Sequence, residues 1–448
     1  MEMVLEFLRD VLSQPALLIG IMSCIGLIAL KRPFHKIMTG TLKPILGYLM
    51  LAAGAGVIVS NLDPLGKMIE HGFHITGVVP NNEAIVAVAQ KVLGVETMSI
   101  LVVGLLMNLC IARFTKFKYV FLTGHHSLFM ACLMSAVLGT AGLSGMELIL
   151  VGGFLMAAIG QSYTSKVTDG DEIAIGHFGS LGYYLSACVA KYVGKAEDST
   201  EDIEIPEKWG FLRDSTLSTA LTMIVFYLIA AFAAGSEFVA TLSGDMSPYL
   251  YAVMSAMNFA VGVTIVYSGV RMILGDLIPA FQGIATKIIP NAIPAVDCAV
   301  FFTYAPTAVV LGFLSSFIGG IIGMLILGAV GGVLIIPGLV PHFFCGATAG
   351  IYGNATGGRR GAAVGAFLNG LAITFLPALA LPVLGQLGFQ NTTFGDADFA
   401  VMGLVLGNAY EWVGMAGIYG IVAIAALVLI VPNFIKTKGK VINYVEED

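Results

Sequence analysis

The sequence predicts an all-α polytopic membrane protein of about eleven transmembrane helices, with re-entrant hairpins and an inverted internal repeat. Three observations predict it. First, the 448 residues are 57% hydrophobic and 11% charged, whereas a soluble chain of this size has roughly a quarter of its residues charged. Mean hydropathy is +0.91, so lipid must solvate much of the exterior. Second, the apolar runs are long. A crossing of hydrocarbon takes ~20 apolar residues, and residues 298–358 contain no Asp, Glu, Lys or Arg, which is room for more than one. Third, the regular apolar pattern is broken at several places by Gly, Pro and single ionisable residues, which is how a lined pathway reads at membrane depth.

The expected spans lie near residues 14–30, 43–61, 96–112, 119–140, 145–162, 215–240, 249–270, 306–326, 327–341, 361–386 and 412–432. Loop charge sets their orientation. Lys31, Arg32 and Lys36 follow the first span, and Arg113, Lys116 and Lys118 follow the third. Arg359 and Arg360 precede the tenth, and Lys436, Lys438 and Lys440 follow the last. With the N-terminus outside, only Arg9, Lys67 and Lys91 of the 22 Lys and Arg fall outside. The positive-inside rule therefore predicts an outside N-terminus and a cytoplasmic C-terminus. The chain opens with Glu2, Glu6, Arg9 and Asp10, which is no basic n-region, so a cleaved signal peptide is not expected.

Three segments are neither clean spans nor ordinary loops: 171–190, 289–306 and 341–356. Each combines apolar residues with Gly or Pro and a His or Asp. They read as re-entrant hairpins or unwound helices around a site, or else as interfacial segments. The order of related segments suggests a duplication. Residues 56–83 can be laid on 269–297, 124–139 on 305–320, and 176–184 on 341–353. The approximate halves are then 14–195 and 215–386, with the last helix at 412–432 outside the repeat. The whole forms one membrane domain. Interrupted helices at matching positions of duplicated halves point to a transport site near the midplane.

Ionisable groups inside a membrane are costly and mark function. Asp297, in Ile-Pro-Ala-Val-Asp, could accept hydrogen bonds from solute hydroxyls, or pair with an Arg or cap a helix. His125 and His126 open an apolar helix, where free N–H groups and the dipole favour an anionic or polyhydroxylic ligand, or else they are plain interfacial polar residues. His177 lies between Gly176 and Phe178-Gly179, and the glycines allow close backbone approach. Glu83, after Asn82, either faces a cavity or starts a helix. Glu411-Trp412 reads as an interface anchor, and Glu147 and Arg271 as span ends.

Other chemistries fit poorly. The six cysteines are scattered without a CxxC pair, so neither a disulfide framework nor a metal site is expected. No phosphate-binding GKS or GKT loop is present, and no aspartate-rich diphosphate motif. No cofactor and no nucleic-acid partner is expected. Gly142-Leu143-Ser144-Gly145 matches the GxSG pattern of intramembrane proteases, but Ser144 falls in a short inter-span turn. The charged stretch 191–214 reads as a cytoplasmic loop, either solvated or a docking surface.

The segments 122–129 (LTGHHSLF), 166–179 (KVTDGDEIAIGHFG), 295–313 (AVDCAVFFTYAPTAVVLGF) and 334–344 (LIIPGLVPHFF) resemble ascorbate-type enzyme IIC permeases of the bacterial phosphoenolpyruvate-dependent phosphotransferase system. The resemblance covers almost the whole chain. It implies eleven spans with two inverted repeats plus a last helix, a homodimer in the inner membrane, a core and a V-shaped scaffold, and elevator-like import of L-ascorbate. It also implies soluble IIA and IIB partners, with the phosphoryl-transfer cysteine on IIB. The family's ligand contacts map onto Asn82 and Glu83, His125, His126, Ser127, Leu128 and Phe129, Gly176, His177 and Phe178, and Asp297. Phe129 and Phe178 stand where enteric members look to carry glutamine, and Glu83 where they carry an aromatic hydroxyl. A related sugar acid, or a galactitol-like polyol, is therefore an alternative substrate. From a different class, an ion-coupled transporter using Asp297 and the histidines is the alternative function.

Overall fold

The computed structural model describes residues 11, 14–74, 77, 78, 80, 82–163, 173–203, 215–385 and 393–434. The chain is all-α apart from short strands. In order come α1 (Pro15–Ala29), α2 (Phe34–Gly72), α3 (Asn82–Phe114), β1 (Tyr119–Phe121), α4 (Gly124–Thr140), α5 (Gly145–Tyr163), β2 (Ala174–Ile175) and α6 (Ser180–Val193). Then follow α7 (Ser215–Ala234), α8 (Ser236–Ser243), α9 (Pro248–Lys287), β3 (Ile293–Val296), a 3-10 turn (Cys298–Phe301) and α10 (Pro306–Ala329). A π turn (His342–Gly346) leads into α11 (Ala347–Gly385), and α12 (Ala397–Val413) and α13 (Met415–Ile430) close the chain.

Among the described residues six helices are long and apolar enough to cross a membrane, and α7 with α8 make a seventh when taken as one span bent by 117°. Three shorter apolar helices lie at Ala16–Ala29, His126–Thr140 and Gly145–Gln161. This is a multi-pass membrane protein, as composition predicts.

Several expected spans take another form. The stretch 119–140 begins as strand β1 before α4. The stretch 327–341 is not a span: residues 330–338 are irregular, because Gly331, Gly332, Pro337 and Gly338 interrupt any helix there. Instead Ile335 bridges to Val78 in parallel. The stretch 249–270 belongs to a helix of 40 residues. The last span is preceded by a helix that the sequence reading left out, α12, from which it is divided at Gly414 with φ +67.

The helices sort into two sets. In one, α1, α2, α7, α8 and α9 pack together. Without a hydrophobic drive between helices in lipid, small residues let backbones approach closely. A Cβ on Gly47 would lie 2.8 Å from the carbonyl oxygen of Gly269, and a Cβ on Gly54 2.7 Å from that of Gly262, so α2 and α9 cross on paired glycines. The other set holds α3, α4 and α5, together with α6, α10, α11 and α12, and α13 lies against α5 and α12.

Two devices organise the second set. The three strands form one parallel sheet in the order β1-β3-β2. At the start of α10, the Glu201 carboxylate accepts the N–H groups of Thr307 (3.1 Å) and Ala308 (3.0 Å), satisfying donors that a helix start leaves open. The adjoining Thr200 N–H donates to Asn354 Oδ1 at 2.8 Å, and Arg359 N–H to the Asp198 carbonyl at 2.8 Å. The start of the charged 191–214 stretch is thus tied to α10 and α11, while its part from 204 on lies outside the described residues.

Candidate functional site

Parallel strands all finish at the same edge, so the residues that follow them meet. After β1 come Thr123 and the start of α4, after β2 come Gly176 and His177, and after β3 comes Asp297. The sheet is continued by Leu122 N–H to the Ala295 carbonyl (2.9 Å) and Gly176 N–H to the Val296 carbonyl (2.7 Å). Thr123 Oγ1 donates to the Gly176 carbonyl at 2.7 Å. A Cβ at Gly176 would stand 2.9 Å from the Ala295 carbonyl oxygen, so glycine is what lets β2 lie this close to β3. Residues 119–123 are therefore one hydrogen-bonded unit with parts of the broken segments 171–190 and 289–306.

His177 is buried and held from both sides. Its Nδ1 is 2.8 Å from the hydroxyl of buried Tyr183, six residues later on α6. Its Nε2 lies 3.7 Å from Asp396 Oδ1. The His126 ring lies against it in a tilted contact, with centroids 3.9 Å apart and planes at 56°. Asp297 caps the following 3-10 turn, its Oδ1 accepting from Ala299 N–H at 3.1 Å.

Asp396 is the hub of the other wall. It accepts from Asn82 Nδ2 at 2.5 Å and contacts Cys345 Sγ at 2.7 Å. Asn82 Oδ1 accepts in turn from Gly395 N–H at 2.8 Å. Two residues after Asp396, the buried Asp398 carboxylate accepts the N–H groups of Ser180 and Leu181, each at 3.0 Å. Its own N–H donates to the Phe178 carbonyl at 3.1 Å. The start of α12 therefore clamps the turn that carries His177. These hydrogen bonds satisfy the acceptors of both carboxyl groups and so offset the cost of burying the two side by side.

These groups open into a cavity of ≈ 1400 Å³ between the two helix sets. His126, Phe129, His177, Asn82, Asp297 and Asp396 line one end of it, with Phe344 and Tyr48. The face of α2 with Asp63, Lys67 and Glu70 lines another part. A drug-sized ligand is enclosed by ~300–1,000 Å³, so a small solute here shares the space with water. Buried acceptors, imidazoles and aromatic faces suit a compact polyhydroxylic solute, whose hydroxyls they rehydrate while its carbons rest on the rings.

Of the residues singled out in the sequence, Asn82, His126, Phe129, His177 and Asp297 come together around this cavity, and Gly176 forms its sheet edge. Ser127 is buried in the first turn of α4, its N–H bonded to the Thr123 carbonyl at 3.0 Å. Leu128 is half-buried against the hydrophobic core. Phe178 is buried away from the cavity lining, with its ring 5.3 Å from those of Phe121 and Phe399. The side chains of Glu83 and His125 lie outside the described residues. Ser144 is exposed in the turn between α4 and α5, off the cavity lining.

Sequence reasoning missed Asp396, Asp398, Tyr183 and Cys345. The two aspartates had a signal: Phe-Gly-Asp-Ala-Asp-Phe precedes an apolar run, the same context that singles out Asp297. Tyr183 and Cys345 had none, because a tyrosine or cysteine in an apolar helix looks like core.

The family of PTS system sugar-specific permease components, EIIC-GAT, matches residues 10–398. A relative from Mycoplasma pneumoniae, the ascorbate-specific PTS system EIIC component, is 28% identical over 416 residues. The match covers 78% of this chain and 62% of that protein, so the chain spans less than two thirds of the length of its relative. With the match reaching across nearly all of its helices, and the broken segments joined at one polar site, the chain belongs to the family of PTS system sugar-specific permease components.

Proposed function

We propose that this permease imports L-ascorbate or a closely related sugar acid and presents it to a soluble IIB protein for phosphorylation. One observation carries the reading: His126, His177, Asn82, Asp297 and Asp396 converge on a single cavity between two helix sets. That constellation offers donors and acceptors on several sides of a small solute, with Phe129 and Phe344 as apolar faces. The resemblance of the M. pneumoniae protein named for ascorbate supports the substrate class. Glu83 and Phe129 leave room for a related acid or a polyol.

The finer architecture belongs to the same proposal. The chain sits in the bacterial inner membrane as a homodimer, N-terminus outside and C-terminus cytoplasmic. Its halves are inverted repeats. In support, the strand residue after α2, Val78, pairs just before the π turn, and β3 after α9 pairs just before α4. Solute crosses when the site-bearing set moves as a body against α1, α2, α7, α8 and α9, an elevator-like step. Phosphorylated IIB, recharged by IIA, docks on the cytoplasmic face near 191–214, where surface charge tunes encounter.

A second reading has an observation of its own. Two buried carboxylates, Asp297 and Asp396, line the same cavity as His177, as a proton- or sodium-coupled transporter would require. Uptake of labelled L-ascorbate into vesicles separates the two. Accumulation that needs phosphorylated IIB and survives a protonophore and sodium removal supports the phosphotransferase reading. Accumulation that collapses with the ion gradient and ignores IIB refutes it in favour of ion coupling.

A further inference from the structure

The polar end of the cavity carries a donor set that sugar recognition does not require. Two thiols, Cys298 and Cys345, stand beside His177 and the carboxylates. The ligand atoms of His177, Cys345 and Asp396 all lie within 4.8 Å of one another, and all three residues are buried. His177 Nε2 is 3.7 Å and Cys345 Sγ 2.7 Å from Asp396 Oδ1. For a tetrahedral zinc-type ion, with bonds of about 2.0–2.1 Å to N or O and about 2.3 Å to sulfur, the ligand-to-ligand edges are about 3.3–3.7 Å. The S–O edge must lengthen by about 0.8 Å, and the N–S edge, within 4.8 Å, must shorten by up to about 1.3 Å, to reach that geometry.

The groups behind the triad are also those of a metal site. A metal-bound imidazole directs its other nitrogen to a hydrogen-bond partner, and a metal-bound carboxylate is itself hydrogen-bonded. Here His177 Nδ1 pairs with the Tyr183 hydroxyl at 2.8 Å, which leaves Nε2 to face the triad. Asp396 Oδ2 accepts from Asn82 at 2.5 Å, which leaves Oδ1 to face it. His177 and Asp396 line the cavity, so a fourth coordination position opens onto it.

We propose that His177, Cys345 and Asp396 form a binding site for a divalent transition metal of the zinc class, with one open position toward the cavity. Nitrogen, thiolate and carboxylate together select zinc or cobalt over magnesium or calcium, which take oxygen alone. On binding, the Cys345 thiol releases its proton to solvent and sulfur bonds the metal. A second triad, His177 with Asp297 and Cys298, shares the same Nε2. The Cys345 triad is the one assigned here, because Cys345 Sγ already lies 2.7 Å from Asp396 Oδ1 and Asn82 orients that carboxylate.

The test is titration of the purified full chain with Co²⁺. The expected result is one Co²⁺ per chain with tetrahedral visible bands and a sulfur-to-cobalt charge-transfer band, displaced by Zn²⁺. Both bands are lost in Cys345→Ser and kept in Cys298→Ser. Absence of saturable binding overturns the proposal, as does charge transfer lost in Cys298→Ser and kept in Cys345→Ser. Where a variant does not fold, X-ray absorption of the zinc-loaded wild type decides, because a shell of nitrogen and oxygen without sulfur also overturns it. One further expectation rests on the solute reading of the cavity. Zinc at ten times its own Kd raises the apparent Kd for L-ascorbate about elevenfold if both use His177. Cobalt charge transfer without that competition supports the metal site and removes the solute from His177.

Discussion

The Tyr183 hydroxyl is the smallest group whose removal reports on the site. It is buried and lies 2.8 Å from His177 Nδ1. Tyr183→Phe deletes one oxygen and keeps the ring that stacks on Tyr352, with centroids 5.5 Å apart, so no large cavity is made. The imidazole then loses the partner that fixes its tautomer and plane. In the empty protein it can turn toward cavity water. With solute bound it must present Nε2 in one state and leave Nδ1 buried and unsatisfied, at about 1–3 kcal/mol. At 1.4 kcal/mol per decade this weakens solute binding by about 5- to 140-fold. Equilibrium binding of labelled L-ascorbate to purified protein measures it, with thermal unfolding as the control for folding. A stable Tyr183→Phe protein that binds within twofold of wild type refutes the role of His177 as an oriented contact.

Three further outcomes follow from the same geometry. Asp297→Asn is expected to fold and to weaken solute binding by at least tenfold, because a buried hydrogen bond to a charged group contributes about 1.5–3 kcal/mol; wild-type affinity in the purified variant contradicts the site. Gly176→Ala places a Cβ 2.9 Å from the Ala295 carbonyl oxygen and is expected to destabilise by about 1–3 kcal/mol by forcing β2 from β3; an unchanged thermal unfolding curve contradicts the sheet as a rigid base. A cysteine added after Val445 is expected to escape a membrane-impermeant thiol reagent in intact cells, relative to the parent chain; labelling there reverses the orientation.

Much of this was legible because apolar length and ionisable exceptions are both written in composition. The long helices follow from uninterrupted hydrophobic stretches, and His126, His177 and Asp297 stand out as polar residues in apolar frames. What the sequence hid was pairing. Strands of two to four residues have too little alternation to be read, so 119–121 looked like the start of a helix and 289–306 like a loop or hairpin. Helical periodicity also fails inside a bilayer protein, where both faces of a helix are apolar for different reasons. Phe178 carried the motif but faces the core, since neighbouring residues of a tight turn point in opposite directions. Asp396 was passed over because its segment lay between expected spans, where an acidic residue looks ordinary. Only the meeting of Asn82 and Asp396, 314 positions apart, makes it part of the site.

The order of the strands has a consequence for how the chain is made. β3 is the central strand, yet it is synthesised last, about 170 residues after β1. Until then the backbone donors and acceptors of β1 and β2 have no ladder partner, and hydrocarbon supplies none. Early helices must therefore wait with incomplete polar segments, sheltered by the insertion machinery or in contact with water. The clamp from Asp398 comes later still, about 100 residues after β3. Assembly of the pocket thus waits for β3 and α12, and a nascent chain stalled before residue 296 holds helices but an incomplete cavity lining.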